Sequence, residues 1–157
     1  MENQTERGLV ALREKLSLAA EVAEKYHAGM TDKAGKPYMC HLTSVSNAVL
    51  SLGEDYAVVG MLHDTLEDTE MTKETLSSLF GKEVADAVSL LTHDDKVPYL
   101  DYVRGVKKSG NPLAIAVKKA DLRNNMDLTR LPNVTDKDLK RVEKYKKAYA
   151  ILTGDEV

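Results

Sequence analysis

The chain has 157 residues, of which 30% are charged and 5% aromatic, with no Trp and a net charge of −3. That length suits one domain with a sizeable core, and the negative balance excludes bulk attraction to nucleic acid or an anionic membrane. No apolar run approaches the roughly 18 residues of a membrane span, the N-terminus lacks the basic-then-apolar order of a signal peptide, and the single Cys40 excludes an intrachain disulfide. A reducing, cytoplasmic setting is expected, with Cys40 as a small buried filler.

Taken in order, the apolar spacing predicts a helix over residues 6–28, with Leu9, Leu12, Leu16, Ala19, Ala20 and Ala23 on one face and Gly29 as its stop. A polar, basic loop follows, punctuated by Gly35 and Pro37. His41 opens a second helix whose inner face is Leu42, Val45, Val49 and Leu52. A central helix is expected from Asp55 to Asp68, then a turn, a short helix capped by Thr72, and a further helix from Lys82 with Val84, Ala87, Val88 and Leu91 inward. His93 falls in a charged, solvated connection before a helix from Tyr99 to Lys108. Asn111-Pro112 marks a clean helix start, with Asn as N-cap and Pro in the first turn. Thr135 caps the last helix, whose inner positions are Leu139, Val142, Tyr145, Ala148, Tyr149 and Leu152. No strand-like alternation is visible, so the expected fold is all-α, a single domain of about seven or eight helices.

The chemistry concentrates in the central helix. Asp64 and Glu67 are three residues apart, while His63 and Glu67, like Asp64 and Asp68, are four apart; on a helix all share one side. Three carboxylates so close repel one another and resist burial, so a cation is expected among them. His41 opens the preceding helix, and Asp121 closes an apolar run carrying Ile115, Val117 and Ala120. Together, His41, His63, Asp64 and Asp121 form a nitrogen-and-oxygen donor set suited to a six-coordinate ion such as Mn²⁺ or Fe²⁺ rather than a closed zinc site.

In this order, these residues resemble the HD superfamily of metal-dependent phosphohydrolases. The stretches HAGMTDKAGKPYMCH (27–41), HDTLEDT (63–69), FGKEV (80–84) and KKADLRNNM (118–126) are similar to the hydrolase domain of RelA/SpoT-type enzymes. The resemblance covers residues 8–152, is close in size to the small alarmone hydrolases such as the metazoan SpoT homologue, and leaves no room within it for synthetase or regulatory domains. It implies an HD-type helical bundle that removes the 3′-pyrophosphate from an alarmone nucleotide such as ppGpp in a Mn²⁺-dependent reaction. By the same resemblance, His41, His63, Asp64 and Asp121 are metal ligands and Glu67 and Asp68 position or activate the attacking water. Lys33, Asn125 and Tyr145 correspondingly face the nucleotide, with neither nucleic acid nor membrane as partner.

The chain departs from the family pattern on the nucleoside side. Asp32 and Ala34 stand where Arg and Ser usually flank the loop lysine, and Leu122 and Leu128 replace a usual Arg and Thr. Two further readings follow: a nucleotide phosphomonoesterase of the wider HD group, and a non-catalytic nucleotide-binding module. Lys118 and Lys119 are expected either to reach phosphates or to be ordinary surface charges. His27 is expected to pack or cap at a helix end, and the lysines between 137 and 147 to form a solvated face.

Overall fold

The computed structural model describes residues 4–155, with side-chain environments from residue 14 onward. Its helices are α1 (Gln4–Tyr26), α2 (Met39–Val49), α3 (Glu54–Leu62), α4 (Thr65–Asp68), α5 (Lys73–Phe80), α6 (Lys82–Leu90), α7 (Tyr99–Ser109), α8 (Pro112–Met126) and α9 (Asp136–Thr153). No strand occurs among the described residues; Thr31 and Pro37 form one isolated bridge across the loop after α1. The fold is all-α, as expected. Leu9 and Leu12 of the expected α1 face lie outside the residues whose side chains are described.

The organising element is α3. Residues 57–62 of this helix are all buried, so it is apolar on every side, which is the pattern of a helix enclosed by others. α1, α2, α6 and α8 pack around it. The tightest approach is at Gly60: a Cβ there would sit 2.9 Å from Ser46 Cα and 3.2 Å from Ser46 N. Only glycine allows the α2 backbone so close, and Ser46 Oγ reinforces the contact by donating to Ala57 O at 2.8 Å. This α2–α3 approach holds His41 and His63 side by side.

The caps are where local chemistry places them. Thr72, Asn111 and Thr135 accept from the backbone N–H groups of Thr75, Ala114 and Asp138, and Thr135 and Asp138 form a reciprocal capping box.

Four expectations are corrected. The continuous central helix divides after Leu62, because side chains take up its carbonyls: His63 Nδ1 donates to Gly60 O at 2.6 Å and Thr65 Oγ1 to Leu62 O at 2.7 Å. α2 ends at Val49 and a 3-10 turn over Leu50–Leu52 carries Leu52 out to 58% exposure. Leu139 is 50% exposed, since the buried face of α9 runs through Val142, Ala148, Ile151 and Leu152. Cys40, in the first turn of α2, points outward and is exposed.

Candidate active site

α2, the α3–α4 junction and α8 converge at the floor of a cleft of about 400 Å³. His41 comes from the first turn of α2 and His63-Asp64 from the break between α3 and α4. Asp121 lies on the face of α8 turned toward them. His41 Nε2 lies 2.9 Å from Asp121 Oδ1 and 3.9 Å from Asp64 Oδ2. His63 Nε2 lies 3.1 Å from Asp64 Oδ2 and 3.4 Å from Asp121 Oδ1. Donors surrounding one ion at about 2.1 Å are spaced by about 3 Å when adjacent and about 4 Å when opposite, so these separations fit a shared cation.

The tautomers fit as well. His63 Nδ1 donates to a backbone carbonyl, so Nε2 is the nitrogen left to face a cation. That Nε2 is buried without a hydrogen-bond partner, an arrangement a cation would satisfy. His41 Nδ1 lies 2.6 Å from Asn124 Oδ1, an acceptor, and is likewise the protonated nitrogen. Two imidazole Nε2 atoms and two carboxylates, grouped within 4 Å of one another in the pairs given, could hold a divalent metal once the imidazoles are deprotonated at Nε2.

The surrounding electrostatics agree. Burial opposes charge on Asp121, yet Lys118, His41 and His63 outweigh it and hold its carboxyl well below the ordinary range. For Asp64 burial is likewise outweighed, by His63 and by Tyr38 Oη, which donates to Asp64 Oδ2 at 2.5 Å. Burial lowers the proton affinity of His63, but the Asp64 and Asp121 carboxylates raise it well above the usual imidazole value. Protons occupy in this arrangement the place a metal would take.

Glu67 and Asp68 stand on the wall of the cleft. Glu67 Oε1 accepts from the backbone N–H of His93 at 2.6 Å, which ties α4 to the loop before α7. The Asp68 carboxylate makes no hydrogen bond among the described residues. Burial, then Asp64 and Glu67, push it up to about 6. Burial also raises Glu67, opposed by the His93 N–H.

The residues expected to face a nucleotide lie in the same cleft. Lys33 Nζ donates to Tyr145 Oη at 3.3 Å and lies 5.4 Å from that ring's centroid. Asn125 Nδ2 donates to Asp121 Oδ1 at 3.0 Å, so it orients that carboxylate while lining the cleft. The loop carrying Lys33 is shaped by Asp32, whose Oδ1 accepts from Ala34 N at 2.9 Å and Lys36 N at 3.0 Å.

Several groups escaped sequence reading. Lys118 is not a surface charge: it is 8% exposed and donates to Asp121 Oδ2 at 3.0 Å, enclosed by the rings of Tyr99 and Tyr102. Its spacing of three from Asp121 on one helix was the available signal. His93 is half-buried rather than solvated, its ring against Tyr102 at 4.8 Å. His27, by contrast, packs as expected: it is 2% exposed and stacks on Tyr38 at 5.2 Å.

An all-α bundle that gathers two histidines and two aspartates from α2, the α3–α4 junction and α8 has a cluster that could hold a divalent cation. The family model described as "HD domain" matches residues 19–124, and the chain belongs to the HD-domain family. It is 34% identical over 147 residues to a GTP pyrophosphokinase of Streptomyces coelicolor, covering 88% of this chain and 16% of that protein. It is 32% identical over 142 residues to a guanosine-3′,5′-bis(diphosphate) 3′-pyrophosphohydrolase of Aquifex aeolicus, covering 85% of this chain and 19% of that one. The chain thus spans less than a fifth of the length of these curated relatives. Among solved structures, it is similar to a metazoan orthologue of SpoT described as hydrolysing ppGpp, with a TM-score of 0.72, 24% identity, and coverage of 91% of this chain and 88% of that one. No helix among the described residues is long and apolar enough to cross a membrane.

Proposed function

We propose that this protein is a metal-dependent pyrophosphohydrolase that removes the 3′-pyrophosphate from an alarmone nucleotide such as ppGpp or its adenosine counterpart. The observation that carries this reading is the convergence of His41, His63, Asp64 and Asp121 on one point, with Glu67 and Asp68 on the adjoining wall. Mn²⁺ is the proposed metal, and the single cysteine fits a cytoplasmic setting.

His41, His63, Asp64 and Asp121 would hold a divalent cation, whose positive charge would acidify an attacking water and offset charge on the phosphates. The division of labour between the two wall carboxylates follows from their hydrogen bonds. Glu67 is held by the His93 backbone and orients the attacking water. Asp68, free of such a bond and with a raised pKa, accepts the proton that water loses as its oxygen bonds to phosphorus. The bond from phosphorus to the 3′ oxygen breaks, and that oxygen takes up a proton as pyrophosphate leaves. Lys33 contacts the phosphates, while Asn125 and Tyr145 border the ribose and base. Glu67 and Asp68 are retained side by side at the site, which favours turnover over simple binding.

The decisive experiment incubates Mn²⁺-loaded protein with ppGpp and its adenosine counterpart and measures released pyrophosphate. Release from either supports the proposal; no release from metal-loaded protein sinks it. One observation favours a second reading, an HD-type nucleotide phosphomonoesterase: Asp32 stands in the recognition loop in place of a cation and faces Arg130 across 3.8 Å. Orthophosphate released from simple mononucleotides would select that reading. A nucleotide recovered tightly bound and unchanged would select a binding module.

A further inference from the structure

The metal-facing tautomer of His41 depends on the orientation of one amide, and the structure shows what sets that orientation. Asn124 Oδ1 lies 2.6 Å from His41 Nδ1. The same oxygen accepts from Arg130 Nη2 at 3.1 Å. A guanidinium nitrogen can only donate. The atom it meets on Asn124 must therefore be the oxygen, and the proton shared with His41 must come from Nδ1. Nε2 is then the nitrogen that can turn a lone pair to a cation beside Asp121 and Asp64.

We propose that Arg130 is a positioning residue for the metal centre: it locks the Asn124 amide with its oxygen toward His41 and thereby holds His41 in the metal-binding tautomer. Without Arg130 the amide is free to rotate by half a turn. Its NH₂ group would then face Nδ1, that nitrogen would become the acceptor, and the proton would move to Nε2, where it competes with the ion. Arg130 is itself held in place. Its turn is closed by Asp127 Oδ1, which accepts from Thr129 N at 3.0 Å, and Arg130 Nη1 faces Asp32 Oδ2 at 3.8 Å. Asp32 shapes the loop that carries Lys33, so the wall of the cleft and the tautomer of a proposed ligand share one guanidinium.

This inference rests on the metal-site part of the proposed function and not on its substrate. Its test is Mn²⁺ titration by calorimetry on the full chain, in two backgrounds. R130M should weaken Mn²⁺ binding by about 10-fold, the lower end of what losing a group behind a ligand costs. N124D replaces the amide with a carboxylate, which has no donor to present whichever way it turns. In the N124D background R130M should therefore change Mn²⁺ affinity by less than about 2-fold, within the usual scatter between independent sites. N124L should weaken binding at least as much as R130M, and adding R130M to it should cost nothing further. Arg130 is 28% exposed, so R130M is expected to fold; R130A repeats the comparison if it does not. Wild-type affinity in R130M, or an equal loss with and without N124D, overturns the inference. Failure of the wild-type protein to bind Mn²⁺ overturns both this inference and the metal site, whereas failure to turn over an alarmone touches only the substrate assignment.

Discussion

Lys118 Nζ lies 3.0 Å from Asp121 Oδ2, and the two residues are 8% and 5% exposed. A lysine ammonium is rarely taken so far out of water. Here it neutralises a carboxylate that also faces two imidazoles, and the rings of Tyr99 and Tyr102 cover it at 5.2 and 5.3 Å. Removing one member of such a pair leaves the other charge buried alone, at a cost of about 3–5 kcal/mol. K118M is expected to destabilise the metal-free protein by that order in urea denaturation. Saturating Mn²⁺ should return part of the loss, because the ion supplies the missing positive charge.

The pH dependence of the metal-free protein follows from His63 and Asp121. The proton affinity of His63 is raised above its ordinary 6.5, so its contribution to stability is complete below that value and is lost as pH rises through the folded-state value. The Asp121 carboxyl is held well below 3.8, so its contribution is present above that value and lost as pH falls through the lower one. Metal-free protein should therefore lose stability as pH is raised from about 6.5, measured by thermal melting. Mn²⁺ binding should release protons, seen as a dependence of the calorimetric enthalpy on the buffer's ionisation enthalpy.

Gly60 sets the spacing of the two imidazoles. In G60A the new Cβ would meet the Ser46 backbone at 2.9 Å, and backbone cannot swing aside as a side-chain tip can. Overpacking of this kind costs about 1–3 kcal/mol. G60A should melt earlier and bind Mn²⁺ more weakly than wild type, since α2 and α3 must part. An unchanged melting temperature would show that the helices separate freely.

The two wall carboxylates should separate binding from turnover. E67Q and D68N are each expected to keep Mn²⁺ affinity within a few-fold and to lower turnover by about 10²–10⁴-fold. In the metal-free protein Asp68 is pushed up to about 6, and a nearby cation lowers that value. The acid limb of the rate profile should thus lie at or below pH 6 and disappear from the residual activity of D68N.

Lys33 and Tyr145 meet across the mouth of the cleft at 3.3 Å. K33M should raise KM about 10-fold, the loss of one charge-assisted contact of about 1.5 kcal/mol, with kcat changed much less. Y145F keeps the ring under the Lys33 ammonium and should have the smaller effect on KM.

Much of the architecture was legible because it is governed by neighbours in the chain. The caps at Thr72, Asn111 and Thr135 stand where hydroxyl and amide side chains can take up the first free N–H groups of a helix. The apolar spacing marked the helices and most of their inner faces, and the HD-type pattern of two histidines and two aspartates was visible before any helix was packed. Leu52 and Leu139 read as inner positions but lie on the surface. One follows a helix that ended early, and the other sits on the outward side of a helix whose buried face only its neighbours define.

The sequence by itself determined the all-α class, the N-terminal caps at Thr72, Asn111 and Thr135 and which residue types could hold a cation, because these depend on contacts within a few residues. The tertiary structure alone decided which carbonyls would break the central helix, that Lys118 would be buried against Asp121, and that Arg130 would reach the amide behind His41. These contacts are short along the chain, but the burial of Lys118 and the meeting of Asn124 with His41, 83 residues away, require helices distant in sequence to pack together. Periodicity cannot register them, because each depends on the angle at which one element packs against another.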